Sequence, residues 1–288
     1  MAVAERDTSG PVAIVGLGLI GGSVAKALAR AYPNARRIGI EPNAAARARA
    51  LREAAVHAAE AAPGALLQDC RLVFICTPGA NPRQILRGLA PHLAPNAVLT
   101  DVIGIKGPVH TAVRDILPAH AFVGGHPMAG GPQGGYAAAR ADLFANTPVA
   151  LTTDDAPSAT VAWVESIWRA VGAVPQRLSA QEHDRQAALT SHLPYAVAVS
   201  LAEMLAQRGP PSRLVGRGLE SVLRQARFAP EVMASVAGAN PFLPSLLREL
   251  ATTANALADA LDADGTAAMR RWGERARDLV AKLRADAP

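Results

Sequence analysis

Residues 11–16, Pro-Val-Ala-Ile-Val-Gly, are followed by Gly-Leu-Gly-Leu-Ile-Gly at 16–21, then Gly22-Ser23 and an alanine-rich stretch to about Arg30. This arrangement restricts the fold more than any other part of the chain. A short apolar run reads as a strand buried on both faces, and the alanine-rich stretch reads as a helix. The glycines between them fit a strand-to-helix turn built around a dinucleotide. Gly16 permits the tight turn, Gly18 lets the backbone approach a pyrophosphate, and Gly21 allows close packing of helix on strand. The amides that open the helix, at Leu19 and Ile20, are the anion donors.

The text that follows repeats the same alternation. A second strand, Arg37-Ile38-Gly39-Ile40, ends at Glu41. A carboxylate about 20 residues beyond the glycines suits a ribose 2′-hydroxyl and repels a 2′-phosphate, so NAD is favoured over NADP, with Arg47 the nearby residue that weakens the distinction. Helix is expected from about Ala44 to Ala59, then a strand at 71–76 closed by Thr77-Pro78, whose carboxyl end faces the cofactor. Helix from Pro82 to Leu93, a strand at 97–100 and a helix ending near Leu117 come next. Ala121-Phe122-Val123 and 148–152 read as strands. A helix carrying Trp163 and Trp168, capped by Asp155 or Ser158, leads to a proline-containing edge strand at 173–178. The pattern predicts a parallel α/β sheet of Rossmann type. After Ser179 only helical text remains, at 180–207, 212–228, 241–261 and 265–285, broken near Pro210-Pro211, Pro230, Pro241 and Asp262. The expected domains are therefore 1–178, nucleotide-binding, and 179–288, all-helical and dimerising.

Composition narrows the function. The net charge is +5, yet the basic residues are scattered and form no run of five, so an anionic small molecule is a better partner than nucleic acid. Cys70 and Cys76 sit in or beside an apolar run without Cys/His ligand spacing, which predicts buried thiols in a reducing compartment and no metal. No signal-type or membrane-length apolar segment occurs, so a soluble cytoplasmic protein is expected.

Gly124-Gly125-His126-Pro127-Met128-Ala129-Gly130-Gly131 brackets a histidine with glycine pairs and fixes the next residue as proline. Such a histidine is held in place, and an imidazole titrates close to neutral pH, so His126 is the expected chemical centre. Three segments, GLGLIGGS at 16–23, GGHPMAG at 124–130 and EHDRQAALTSHLP at 182–194, together with Asp142-Leu143-Phe144, resemble the prephenate/arogenate dehydrogenases of tyrosine biosynthesis. The resemblance spans nearly the whole chain, and its specific motif is GGHPMAG.

The resemblance implies NAD-dependent oxidative decarboxylation of an anionic cyclohexadienyl substrate, prephenate (or arogenate), to 4-hydroxyphenylpyruvate (or tyrosine), by a homodimer. It implies that His126 is the catalytic base, His192 a second active-site histidine and Arg224 the clamp for a substrate carboxylate. It implies no regulatory domain after Leu283 and no fused mutase before Pro11. The departures from the family pattern gather around the substrate. Gly104 replaces a serine that contacts both the histidine and the ring hydroxyl, and Tyr195 replaces the last histidine of H-L-P-H. Pro132 and Gly134 stand where the family has glutamate and serine, and Met233 replaces a tryptophan. These changes leave a 4-amino-4-deoxyprephenate dehydrogenase as the alternative within the same scaffold, with Tyr195 or a water taking over from the serine in the main reading. A non-catalytic NAD-binding regulator is the alternative of another class, and the retained His126 argues against it.

Overall fold

The computed structural model describes residues 10–77, 81–131, 133–209 and 214–285. The chain divides after Asn240 into two compact units. The first begins with β1 (Val12–Val15), α1 (Leu19–Ala31), β2 (Arg37–Ile40), α2 (Ala44–Arg52), β3 (Ala58–Glu60), β4 (Leu72–Ile75) and α3 (Pro82–Leu89). It continues with β5 (Val98–Asp101), α4 (Gly107–Ile116), β6 (Phe122–Pro127), β7 (Pro148–Thr152), α5 (Ser158–Ala170) and β8 (Val174–Leu178). The eight strands form one sheet in the order β3-β2-β1-β4-β5-β6-β7-β8. Strands β1, β2 and β4 are buried along their whole length, as continuous apolar runs require when helices cover both sheet faces. The strand order reverses between β1 and β4, which places a crevice at their carboxyl ends.

Two departures from the expected sheet matter for the site. The alanine-rich text after Ala44 does not stay helical to Ala59. The backbone turns at Ala54, whose φ is +51°, and residues 58–60 pair with β2 in register Ile38↔Ala58 as an edge strand. Pairing with a neighbour outweighs local helix propensity there. Second, the sheet is not wholly parallel, because β7 runs antiparallel to β6. Only Phe122 and Val123 of β6 pair with β5, whereas Gly124 to Pro127 pair with Thr152 to Val149 of β7. The histidine at 126 is thus carried past the end of β5 on a strand braced from one side. The edge position of β8, with Pro175, is as expected.

Helix α5 starts after Pro157 with no side-chain cap. Asp155, expected to cap it, instead accepts from Arg114 and contacts Nδ1 of the buried His110. Beyond β8 come α6 (Ala180–Ala187), a π-helical turn at Ala188–His192, α7 (Leu193–Arg208), α8 (Arg217–Leu223), a 3₁₀ turn at Arg224–Arg227 and α9 (Pro230–Val236). The break expected at Pro230 is present, with Phe228 extended before it, and Pro230 then opens α9, where a missing N–H costs nothing. The second unit contains α10 (Leu243–Ala285), whose backbone leaves helical geometry at Gly265, near the expected break at Asp262. Met269, Leu279, Val280 and Leu283 of α10 are exposed. Among the described residues no helix is long and apolar enough to cross a membrane, and both cysteines are free and buried.

The core of the first unit closes around Trp168 of α5, only 1% exposed. Its ring meets the edges of Phe74 of β4 and Phe144 at centroid distances of 5.8 and 5.3 Å. Replacing Trp168 by Ala is expected to cost about 3–5 kcal/mol. A urea-unfolding midpoint within error of the wild type would show that this ring does not hold the sheet to α5.

Candidate active site

The nucleotide end of the crevice is built from main chain. Gly16 has φ +93°, and a Cβ on Gly21 would lie 1.9 Å from the Gly16 carbonyl oxygen, so both positions need glycine. Gly18 precedes α1 as its N-cap without a side-chain cap bond, and a Cβ there would meet nothing within 4 Å. The first-turn amides of α1, at Leu19 and Ile20, therefore face space that an anion can enter. Glu41 ties the tip of β2 to this turn, because Oε2 accepts from Leu17 N–H at 2.8 Å and Oε1 accepts from Asn43 N–H at 2.9 Å. Arg47 donates to the carbonyl oxygens of Glu41 and Pro42 at 2.6 and 2.8 Å. Thr77 holds a buried hydroxyl without a partner among the described residues, a group that a ligand at the end of β4 would satisfy. Pro78 and Pro132 lie outside the described residues. Leu19 lines a small cavity with Gly130, Gly131 and Arg140, and Ile20 lines the larger one described next. The open glycine turn, the uncapped helix start and the carboxylate beyond them fit a dinucleotide.

A cavity of about 1200 Å³ adjoins this end. Ile20, Gly104, His126, His183, His192, Arg224, Arg227, Met233 and Val236 are among its walls. His126 Nδ1 lies 2.9 Å from His183 Nε2, and His183 Nδ1 lies 2.8 Å from Asp184 Oδ1. The other edge of His126 faces residue 104, where a Cβ would stand 3.3 Å from Nε2. Burial, then the neighbouring His183, Lys106 and His192, push the His126 pKa well below the ordinary histidine value. His192 is also lowered, chiefly by burial. Asn240 donates both to the Asp184 carbonyl oxygen, at 2.8 Å, and to His192 Nδ1, at 3.0 Å. The π turn that ends at His192 is a widened turn of the kind often found where a helix must present a functional side chain.

A buried ion pair holds the strand that carries His126. The Lys106 ammonium donates to Asp101 Oδ1 and Oδ2 at 2.7 and 2.5 Å and to the Gly125 carbonyl oxygen at 2.8 Å. Asp101 Oδ1 also accepts from Gly125 N–H at 2.9 Å. Neither side chain has any exposed surface. Burial pulls the lysine pKa down and the Asp101 carboxylate opposes that shift.

Of the residues expected at the substrate, His126, His192, Arg224 and Gly104 line one cavity. Tyr195 does not line it. Tyr195 stands in the first turn of α7, half-buried and apart from these walls. Arg224 sits with Arg227 on one 3₁₀ turn, and among the described residues neither makes an ion pair. His183, Asp184 and Asn240 were not singled out from sequence. The first two stand in the EHDRQ stretch, where an adjacent His-Asp on a helix with a Ser179 cap was the available signal; Asn240 carried none.

The family model for the prephenate dehydrogenase nucleotide-binding domain matches residues 24–176, and that for the prephenate dehydrogenase dimerization domain matches residues 179–273. The chain belongs to the prephenate dehydrogenase family. It is 32% identical over 206 residues to a cyclohexadienyl dehydrogenase of Zymomonas mobilis, which covers 70% of this chain and 69% of that protein. It is 32% identical over 199 residues to the prephenate dehydrogenase of Bacillus subtilis, covering 68% of this chain and 53% of that protein, so the match spans about half of the latter's length. The crystal structure of the A. aeolicus prephenate dehydrogenase with hydroxyphenyl propionate and NAD+ shares the fold, with a TM-score of 0.88, 24% identity and coverage of 95% of this chain and 98% of that one.

In this family member the Asp101–Lys106 pair is a structural brace. Asp101→Asn leaves the ammonium without its counter-charge in a dry site and is expected to cost about 3–5 kcal/mol. Thermal and urea denaturation check this, and an unchanged midpoint would remove the pair from that role.

Proposed function

We propose that this chain oxidatively decarboxylates prephenate to 4-hydroxyphenylpyruvate with NAD, a step towards tyrosine. The observation that carries the reading is a partly buried imidazole, its pKa lowered, whose Nε2 edge faces a cavity walled also by two arginines that make no ion pair among the described residues, next to a dinucleotide-fitting turn. His126 is the base. Its lowered pKa leaves Nε2 free to accept the proton of the ring hydroxyl at neutral pH. Bound NAD supplies the acceptor for the hydride that leaves the carbinol carbon. The bond to the ring carboxylate then breaks, its electron pair enters the ring, and CO2 departs. His126 returns its proton to the oxygen, which leaves a phenol. Arg224 matches one substrate carboxylate as a planar fork, with Arg227 on the same cavity wall. His192, held by Asn240, contributes a further polar group to the same wall. Gly16, Gly18, Leu19, Ile20, Gly21, Glu41 and Thr77 hold the cofactor. The helical half is the dimer-forming part, as its matched domain description and the exposed apolar residues of α10 suggest.

Gly104 favours one second reading. Without a hydroxyl at that position, the ring substituent has one polar partner fewer, and the His126 lone pair can accept from an N–H donor as well as from an O–H. The substrate 4-amino-4-deoxyprephenate is therefore the alternative.

Purified protein with NAD and prephenate is expected to yield NADH and 4-hydroxyphenylpyruvate. NADH formed only from arogenate or only from the 4-amino analogue would move the substrate assignment. NAD binding without turnover of any of the three would refute the reaction. His126→Asn is expected to lower kcat by at least about a hundredfold with NAD affinity retained. Because the folded pKa of His126 lies below the ordinary histidine value of about 6.5, kcat/KM should stay level from pH 8 down to that value and fall only below it; a fall beginning above pH 7 would contradict a neutral base.

Arg224→Ala removes a charged bidentate contact and should raise KM about tenfold or more with a smaller change in kcat. An unchanged KM, with the same loss in Arg227→Ala, would transfer the clamp to Arg227.

A further inference from the structure

The contacts behind His126 determine which of its nitrogens carries the proton. Asp184 Oδ1 accepts from Lys106 N–H at 2.8 Å and Oδ2 accepts from Gly107 N–H at 2.8 Å. Both donors belong to the start of α4, a 10-residue helix whose positive end favours a carboxylate. A carboxylate only accepts, so His183 Nδ1, 2.8 Å from Asp184 Oδ1, carries a proton. A neutral imidazole protonated there has a bare Nε2. That nitrogen lies 2.9 Å from His126 Nδ1, which is therefore the donor. The ring centroids are 5.1 Å apart and the planes are turned 67° from each other, an arrangement that an N–H···N bond along both ring edges permits. His126 is left with its lone pair on Nε2, the edge that faces Gly104 and the cavity.

We propose that His183 and Asp184 are positioning residues that hold His126 in its Nδ1–H tautomer and so make Nε2 the proton acceptor. The proposal rests on the reading of His126 as the base. An imidazole tautomer is set by the hydrogen bond that the other nitrogen makes, and a carboxylate at the end of such a chain also steadies the positive charge that forms when the proton arrives. Position 104 offers no side chain to orient the ring from the cavity side, so orientation comes from behind. His183 and Asp184 are 3% and 2% exposed, which keeps solvent from competing for these bonds. Lys106 closes the arrangement. Its main chain holds Asp184, and its side chain holds the Gly125 carbonyl next to His126.

Long-range 1H–15N spectra of histidine-labelled protein at pH 7 read the tautomer directly, with His126→Asn assigning the signals. The expected result is a protonated Nδ1 and a bare Nε2 on His126. In His183→Leu, His126 should divide between both tautomers and kcat should fall at least about tenfold, with KM within about twofold. His183→Gln keeps an oxygen that can accept from Nδ1–H and should recover most of the kcat and the single tautomer. A wild-type His126 protonated on Nε2 would overturn the proposal, whether or not the variants fold. A His183→Leu protein with the wild-type tautomer and kcat would overturn it equally. The spectra need no substrate, so a failed substrate panel would count against the proposed reaction and not against the tautomer.

Discussion

An ammonium group without access to solvent ties the end of β5 to the strand that carries the reactive histidine. The Lys106–Asp101 pair spends three donors and two acceptors on fixed partners, and two of those partners are the N–H and C=O of Gly125. Strand β6 needs this tie, because it has left β5 behind by the time it reaches residue 126 and pairs only with β7. A buried ion pair is weak evidence of net stability, since well-packed apolar side chains could do as well. Its geometric effect is clearer. One residue places both the His126 backbone and, through its own N–H, the carboxylate one ring behind that histidine.

The two sides of the crevice are made differently. The nucleotide side is a matter of backbone: left-handed φ at Gly16, an impossible Cβ at Gly21 and bare amides at the start of α1. The substrate side is a matter of side chains that arrive from α6, the π turn, the 3₁₀ turn and α9. Main-chain recognition tolerates little change, whereas a wall of side chains can be rewritten one residue at a time. The departures from the family pattern at Gly104, Tyr195 and Met233 all fall on the helical elements or on the loop that faces them, and none on the glycine turn.

What was legible in the sequence follows the same division. The glycine turn, the apolar strands and the edge position of β8 depend on neighbours in sequence, and they appear where the residue pattern puts them. The end of α2 was not legible, because Ala54 to Ala58 has ordinary helix formers and turns only to meet β2. Nor was the reversal of β7, since a short apolar run reads the same in either direction. His126 announced itself through its glycines. His183 and Asp184 did not, because their significance lies in contacts to residues 57 and 78 positions away. Asn240 joins two parts of the helical segment across 48 and 56 residues, and no local pattern marks it.

The space beside His126 has one more implication. A Cβ on residue 104 would approach Nε2 to 3.3 Å and Val236 Cγ1 to 3.5 Å, so the imidazole edge would have to give by a few tenths of an ångström to admit one. Glycine and serine codons can differ by a single base. The chemical identity of the group facing the imidazole is thus one nucleotide change from a different answer, and that change would be felt at the edge of the ring opposite to the one His183 contacts.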